Sequence, residues 1–176
     1  MGSSLSTLNN EQLKSISLTT ENTPKIIQEF RNADTNKTGL TLDQFKTFFR
    51  ASIQECDDAT LQSIFDSFDS DKNNLFSFKE FSSCIFLLTK TDTNRKLEFL
   101  FETFDDDNSG YLSTEELKNV IEVMNTTIRI IGGQDINDRI DSLIASMERS
   151  GPENGISKTE WVSKASADQA LLSAFN

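Results

Sequence analysis

Two stretches of this 176-residue chain carry oxygen-bearing residues at a spacing that could enclose a cation. In one, Asp105, Asp107, Ser109, Tyr111 through its carbonyl, Ser113 and Glu116 occupy places one, three, five, seven, nine and twelve, and Gly110 takes the sixth. In the other, the same places hold Asp69, Asp71, Asn73, Leu75 through its carbonyl, Ser77 and Glu80, with Asn74 at the sixth. Ca²⁺ takes six to eight hard oxygen ligands in flexible geometry. The loop around it must turn sharply at its sixth residue, and a glutamate at the twelfth can return both carboxylate oxygens to the ion. The spacing therefore points to two Ca²⁺ sites, with Ser77 acting through water and with room for Mg²⁺ at rest. Asn tolerates positive φ better than other non-glycine residues, so Asn74 strains its loop mildly.

Such loops need helices on both sides, and the flanks supply them. Phe101 and Phe104 precede Asp105 on one helical face, and Leu117, Val120, Ile121 and Met124 form an apolar stripe after it. Leu61, Ile64, Phe65 and Phe68 lead into Asp69, while Phe81, Ile85 and Leu88 follow Glu80. Ser113 with Glu116 and Ser77 with Glu80 form capping boxes for the outgoing helices. This is the EF-hand pattern.

Two further stretches have the same outline but an incomplete ligand set. Asp34, Asn36, Thr38 and Gly39 begin a loop whose twelfth place is Phe45 if Gly39 is sixth. If Leu40 is instead aligned with the apolar eighth place, the loop is one residue short and ends at Gln44. Either count removes the bidentate carboxylate. The stretch ending at Glu160 is one residue too long if Glu148 starts it, starts at Arg149 if counted back from Glu160, and contains Pro152. Both are read as structural hands without useful Ca²⁺ affinity.

Composition narrows the function classes. The net charge of −11 argues against nucleic acid and against an anionic membrane patch. The 14 Phe against one Tyr and one Trp suit helices packed through phenylalanines. With no His and no paired cysteine spacing at Cys56 and Cys84, neither a nucleophile–base pair nor a disulfide framework is visible. The expectation is a non-enzyme in a reducing, cytoplasmic setting. Met1-Gly2-Ser3-Ser4-Leu5-Ser6 fits an N-myristoylation pattern, with Gly2 as the acceptor, and a single acyl chain implies reversible, peripheral membrane attachment.

The expected fold is all-α, with two lobes that are each a pair of EF-hands joined by a short β-bridge: Leu40 or Thr41 with Phe76, and Leu112 with Ile156. An N-terminal arm over 1–22, with a short helix at Asn10–Ser17, precedes the first pair over 23–88. A linker at 89–93 follows, then the second pair over 94–166 and a tail over 167–176. Thr23 and Pro24 read as N-cap and first residue of the first helix, and Asn125–Asn137, with Gly132-Gly133, as a flexible connector. Phe45, Phe48, Phe49, Phe65, Phe68, Phe81, Phe101 and Phe104 are core positions, and Phe48 and Phe49 are also candidates to line a partner-binding groove.

The chain resembles the neuronal calcium sensor (recoverin-like) family, related to calcineurin B. The likeness rests on the Gly2/Ser6 pattern, four hands with the first disabled, and Ser163–Asp168 followed by Gln169-Ala170-Leu171-Leu172 after the last hand. The first loop lacks that family's Cys-Pro pair, Thr7 stands where a Lys often follows the serine, and the fourth hand is disabled. The resemblance implies a calcium sensor in which Ca²⁺ exposes a Phe-rich groove for a helix of a target protein, with release of a buried lipid in acylated members. A passive calcium buffer and a calcineurin B-like phosphatase subunit are the alternatives.

Overall fold

The computed structural model describes residue 16 and residues 18–130, 134–148 and 155–173. Gly2, most of the expected Asn10–Ser17 helix and the start of the fourth loop lie outside them. The chain divides into two compact units, Met1–Lys90 and Thr91–Asn176.

The first unit holds α1 (Thr23–Ala33), α2 (Leu42–Ser52), α3 (Asp58–Phe68) and α4 (Phe78–Leu88). Asn22, not Thr23, is the N-cap of α1, and Pro24 sits in its first turn, where a missing N–H removes no helical bond. Thr23 is displaced from the cap role because its hydroxyl instead donates back to the Thr19 carbonyl at 2.7 Å, and the residue is wholly buried. Asp57 caps α3 by accepting from Thr60 N–H at 2.7 Å. Those bonds from Thr60, backbone first, hold the Asp57 carboxyl below its ordinary pKa.

Phenylalanines fill the space between the helices. Phe30 of α1 stacks on Phe81 of α4 at 4.1 Å and meets Phe48 of α2 edge-on at 5.5 Å. A second cluster surrounds Phe76, which lies 4.5 Å from Phe45 and 5.5 Å from Phe65. Such pairs add about 0.5–1.5 kcal/mol each beyond the area they bury, so the aromatic skew of the composition is a packing device. Ahead of α1, Ile16 and Leu18 are also buried. Leu18 forms a parallel bridge with Thr89 and accepts from Lys90 N–H at 3.2 Å, so Thr89, expected in a linker, is tied into the first unit.

The second unit holds α5 (Thr93–Phe104), β1 (Tyr111–Leu112), α6 (Thr114–Ile130), a 3₁₀ turn (Asn137–Arg139), α7 (Ile140–Glu148), β2 (Ile156–Ser157), α8 (Lys158–Ala167) and α9 (Gln169–Leu172). Trp161 is fully buried, and its indole N–H donates to the Leu97 carbonyl at 2.9 Å, which fastens α8 to α5. Within the expected tail, Asp168 caps α9, and Leu171 is buried.

The flexible connector expected at Asn125–Asn137 is corrected at 125–130 and 134–137, while Gly132-Gly133 lie outside the described residues. Helix α6 runs on to Ile130, and Asn125 is a buried side chain 3% exposed. Its carboxamide donates to Asn137 Oδ1 at 2.7 Å and Asp135 Oδ1 at 3.2 Å, and accepts from Ile136 N–H at 2.9 Å. The returning chain is thus held by a helix residue ten to twelve positions earlier. Removing a buried, multiply bonded amide costs about 1–3 kcal/mol. Asn125→Ala should lower the stability of the second unit by that amount in urea unfolding followed by the fluorescence of Trp161, which lies in that unit.

Candidate calcium sites

Each ligand loop begins where a helix ends. Asp69 is the C-cap of α3 and Asp105 that of α5, so the first carboxylate of each loop is delivered by the incoming helix. Glu80 and Glu116 sit in the first turns of α4 and α6, whose positive ends favour carboxylates. Between them the backbone turns left-handed at the sixth place, with φ of 61° at Asn74 and 81° at Gly110. Asn74 N–H donates to Asp69 Oδ2 at 3.2 Å and Gly110 N–H to Asp105 Oδ2 at 3.0 Å. The turn therefore aims the first carboxylate at the loop centre in both cases.

The twelfth residues are positioned alike. Glu80 Oε2 accepts from Ser77 N–H and Oγ, both at 2.9 Å, while Oε1 accepts from Ser70 N–H at 2.8 Å. Glu116 Oε2 accepts from Ser113 N–H and Oγ, both at 2.8 Å, and Oε1 from Asp106 N–H at 3.2 Å. Each glutamate thus bridges the start and end of its loop. One carboxylate oxygen from each of Asp69, Asp71 and Glu80 can lie within 4.8 Å of the others, as can one from each of Asp105, Asp107 and Glu116. These are the six acids that spacing alone selected. Ser109 donates to Asp107 and Asp105 and, through its hydroxyl, to the Tyr111 carbonyl at 2.9 Å, so the three ligand groups from that side converge. Hydrogen bonds from Ser109, hydroxyl and backbone, hold Asp107 below the usual carboxylate pKa.

The donor set fits a hard divalent cation, and one atom makes the case sharply. Asp69 and Glu80 are 3% and 4% exposed, and Asp69 Oδ1 is buried without a hydrogen-bond partner among the described residues. Two buried carboxylates this close repel by on the order of 3 kcal/mol at an effective dielectric of about 20. An ionised oxygen away from water and without a donor adds a desolvation cost. A cation at the loop centre would remove both. In the Asp105–Glu116 loop the flanking carboxylates are half-buried and Asp107 is exposed, so the same ligand set stands closer to solvent.

The first loop resolves the two counts left open by sequence. Leu40 pairs with Phe76 through N–H···O bonds of 3.0 and 2.7 Å, Thr41 caps α2, and Gln44 closes the capping box. Gln44 therefore stands in the twelfth place and the loop is one residue short. Asp34 Oδ1 accepts from Thr38 and Gly39 N–H, both at 3.1 Å, as the first carboxylates of the other loops do. Gly39 also immediately precedes the bridging residue, so one glycine covers the sixth and seventh places and the seventh carbonyl has no separate residue to supply it. In the fourth loop, Ser157 donates to Glu160 Oε2 through N–H at 3.0 Å and Oγ at 2.7 Å. Those bonds, the hydroxyl's first, keep Glu160 below its ordinary pKa. Residues 149–154, on which the reading of that loop depends, lie outside the described residues.

Phe48 and Phe49, candidates for a groove lining, are core residues, 6% and 0% exposed. Cys84 is fully buried and Cys56 partly so, and burial pushes both thiols up in pKa, away from the reactive thiolate. Among the described residues no helix is long and apolar enough to cross a membrane. Sequence reasoning gave Gly39 only the sixth place of the first loop and gave Gly155 no role; their place immediately before the bridging residue is the signal that could have singled them out.

Comparison with known proteins agrees with the geometry. An EF-hand domain pair model matches residues 30–87, and an EF-hand domain model matches residues 96–125. The chain is 37% identical to calcium-binding protein L of Dictyostelium discoideum over 180 residues, covering 98% of this chain and 93% of the relative. It is 32% identical to calcium-binding protein K of the same organism, over 92% of this chain and 86% of the relative, and 28% identical to calcium-binding protein J. The matched hands contain both carboxylate clusters, and with full-length similarity at this level the chain belongs to the EF-hand family of calcium-binding proteins.

Proposed function

We propose that this chain is a calcium sensor that takes two Ca²⁺ ions, one held by Asp69, Asp71, Asn73, the Leu75 carbonyl, Ser77 through water and Glu80, the other by Asp105, Asp107, Ser109, the Tyr111 carbonyl, Ser113 and Glu116. The observation that carries this reading is the pair of three-carboxylate clusters, one with a buried oxygen that no described residue satisfies. Sensor-type hands bind with dissociation constants of roughly 10⁻⁷ to 10⁻⁵ M and open on binding to present an apolar groove. The phenylalanines that now join α1, α2 and α4 are the surface that opening of the first unit would uncover, and an amphipathic target helix would fill it. Two incomplete loops out of four make poor use of a passive buffer, whose capacity is the number of ions it holds. The acylation pattern at Gly2 and the recoverin-like outline support a version of this switch coupled to reversible membrane attachment.

Charge sets the proposed order of filling. The Asp105–Glu116 loop has five acids and no base, for −5, and the Asp69–Glu80 loop has three acids against Lys72 and Lys79, for −1. The former fills first.

Calorimetry should return two Ca²⁺ per chain, with Glu116→Gln and Glu80→Gln each removing one; three or four ions would show that an incomplete loop is alive. An apolar dye should gain fluorescence at saturating Ca²⁺, and a flat signal would support the buffer. Mass spectrometry of the protein from its native cell should find a myristoyl mass on Gly2, and an unmodified N-terminus would remove the lipid from the mechanism.

A further inference from the structure

In both units, the hand with the incomplete ligand set places a left-handed glycine directly before its bridging residue, and the complete loops have no such residue there. Gly39, at φ 100°, precedes Leu40, and Gly155, at φ 119°, precedes Ile156. Each glycine lies on the backbone of the partner loop. A Cβ on Gly39 would come within 3.0 Å of the Phe76 carbonyl carbon and oxygen and 3.1 Å of Ser77 N. A Cβ on Gly155 would fall on the Leu112 carbonyl oxygen, 2.7 Å from Leu112 C and 3.2 Å from Ser113 N. In both units, therefore, the glycine touches the peptide joining the eighth and ninth places of the opposite loop.

That peptide positions the most consequential ligand. Its N–H is Ser77 N–H in one unit and Ser113 N–H in the other, and these donate to Glu80 Oε2 at 2.9 Å and Glu116 Oε2 at 2.8 Å. Pushing the peptide away moves the donor that fixes the twelfth carboxylate, together with the serine side chain that shares the task. The contact atoms are backbone, held by the pairs Leu40–Phe76 and Leu112–Ile156, each residue 1% exposed or less, so the neighbour has little room to yield.

We propose that Gly39 and Gly155 are positioning residues for calcium: each incomplete hand sets the affinity of its partner through contact of a bare glycine backbone with the Phe76–Ser77 or Leu112–Ser113 peptide. Neither glycine touches the ion. Gly39 acts on the Asp69–Glu80 site and Gly155 on the Asp105–Glu116 site. The inference rests on the two-site reading above.

Gly39→Ala and Gly155→Ala in the full-length chain test it, with Ca²⁺ binding followed site by site through the NMR amide signals of Asn74 and Gly110, whose N–H groups bond to Asp69 and Asp105. Disturbing a group that orients a ligating carboxylate costs roughly 10- to 100-fold in metal affinity. Gly39→Ala should weaken the Asn74-reported site by that factor and leave the Gly110-reported site at its wild-type value; Gly155→Ala should do the reverse. Gly39→Asn, which accepts positive φ more readily and keeps the collision, should resemble Gly39→Ala. Circular dichroism in calcium-free buffer should match the wild type for all three. Wild-type affinity at the partner site overturns the proposal, as does equal weakening of both sites or loss of helicity without calcium, each of which would make the glycines ordinary folding residues. A wild-type protein that fails to bind Ca²⁺ at either reporter would instead sink the two-site reading itself.

Discussion

Each unit closes on a bridge of backbone hydrogen bonds between two loops: Leu40 with Phe76 in the first, Leu112 with Ile156 in the second. A single helix–loop–helix has an apolar face and no partner to cover it, and the bridge brings two such faces together. All four bridging side chains are buried at 1% exposure or less, so the hydrogen bonds form where water does not compete for them. The incoming helices end seven or eight residues before that point, and the outgoing helices begin two residues after it. A carboxylate at the end of the first helix and a glutamate in the first turn of the second then converge without any long-range adjustment. The metal loops are in this sense consequences of the bridge.

This explains why a hand with an incomplete ligand set, such as the first, can persist. The first hand has an amide in place of the twelfth carboxylate and has merged two loop positions into Gly39, yet it keeps the features that build a partner: an aspartate collecting its own loop N–H groups, a bridging leucine, and a capping box from Thr41 and Gln44. Glutamine serves the capping box as well as glutamate does, because that role asks only for an acceptor. Ion binding asks for a charge and two oxygens. Folding and binding thus place separable demands on the same position, and the first hand satisfies only one of them.

How much was legible in the sequence follows from where each interaction lies along the chain. The ligand loops and capping boxes were readable because their partners are three to eleven residues apart and their chemistry is carried by side-chain type. The bridge at Leu112 and Ile156 followed from counting. The count failed to settle the first loop because Gly39, suited to the sixth place, and Leu40, suited to the eighth, are adjacent, and one glycine covers both the sixth and seventh places. Asn125 was misread for a different reason. In sequence it looks like a helix end before Gly132-Gly133, and only the fold shows its carboxamide holding Asp135, Ile136 and Asn137. Likewise, nothing local in Leu18 announces a bridge to Thr89, about seventy residues away.

The two complete loops show how differently one ligand pattern can be embedded. Both gather three carboxylates within the same 4.8 Å, so whether an ion is held at all depends on groups the two share. What separates them lies outside that inner set. The Asp105–Glu116 loop adds Asp106 and Glu115, both exposed, whereas the Asp69–Glu80 loop adds two lysines and buries two of its ligands. Burial strengthens the pull of the inner carboxylates on a cation, because the local dielectric is lower, but it also raises the cost of holding them together beforehand. Exposed charges act over longer distances and are screened within about 10 Å at 0.1 M salt. The difference in loop charge between the sites therefore belongs to the part of the electrostatics that salt can weaken, while the difference in burial of the inner carboxylates belongs to the part that it cannot reach.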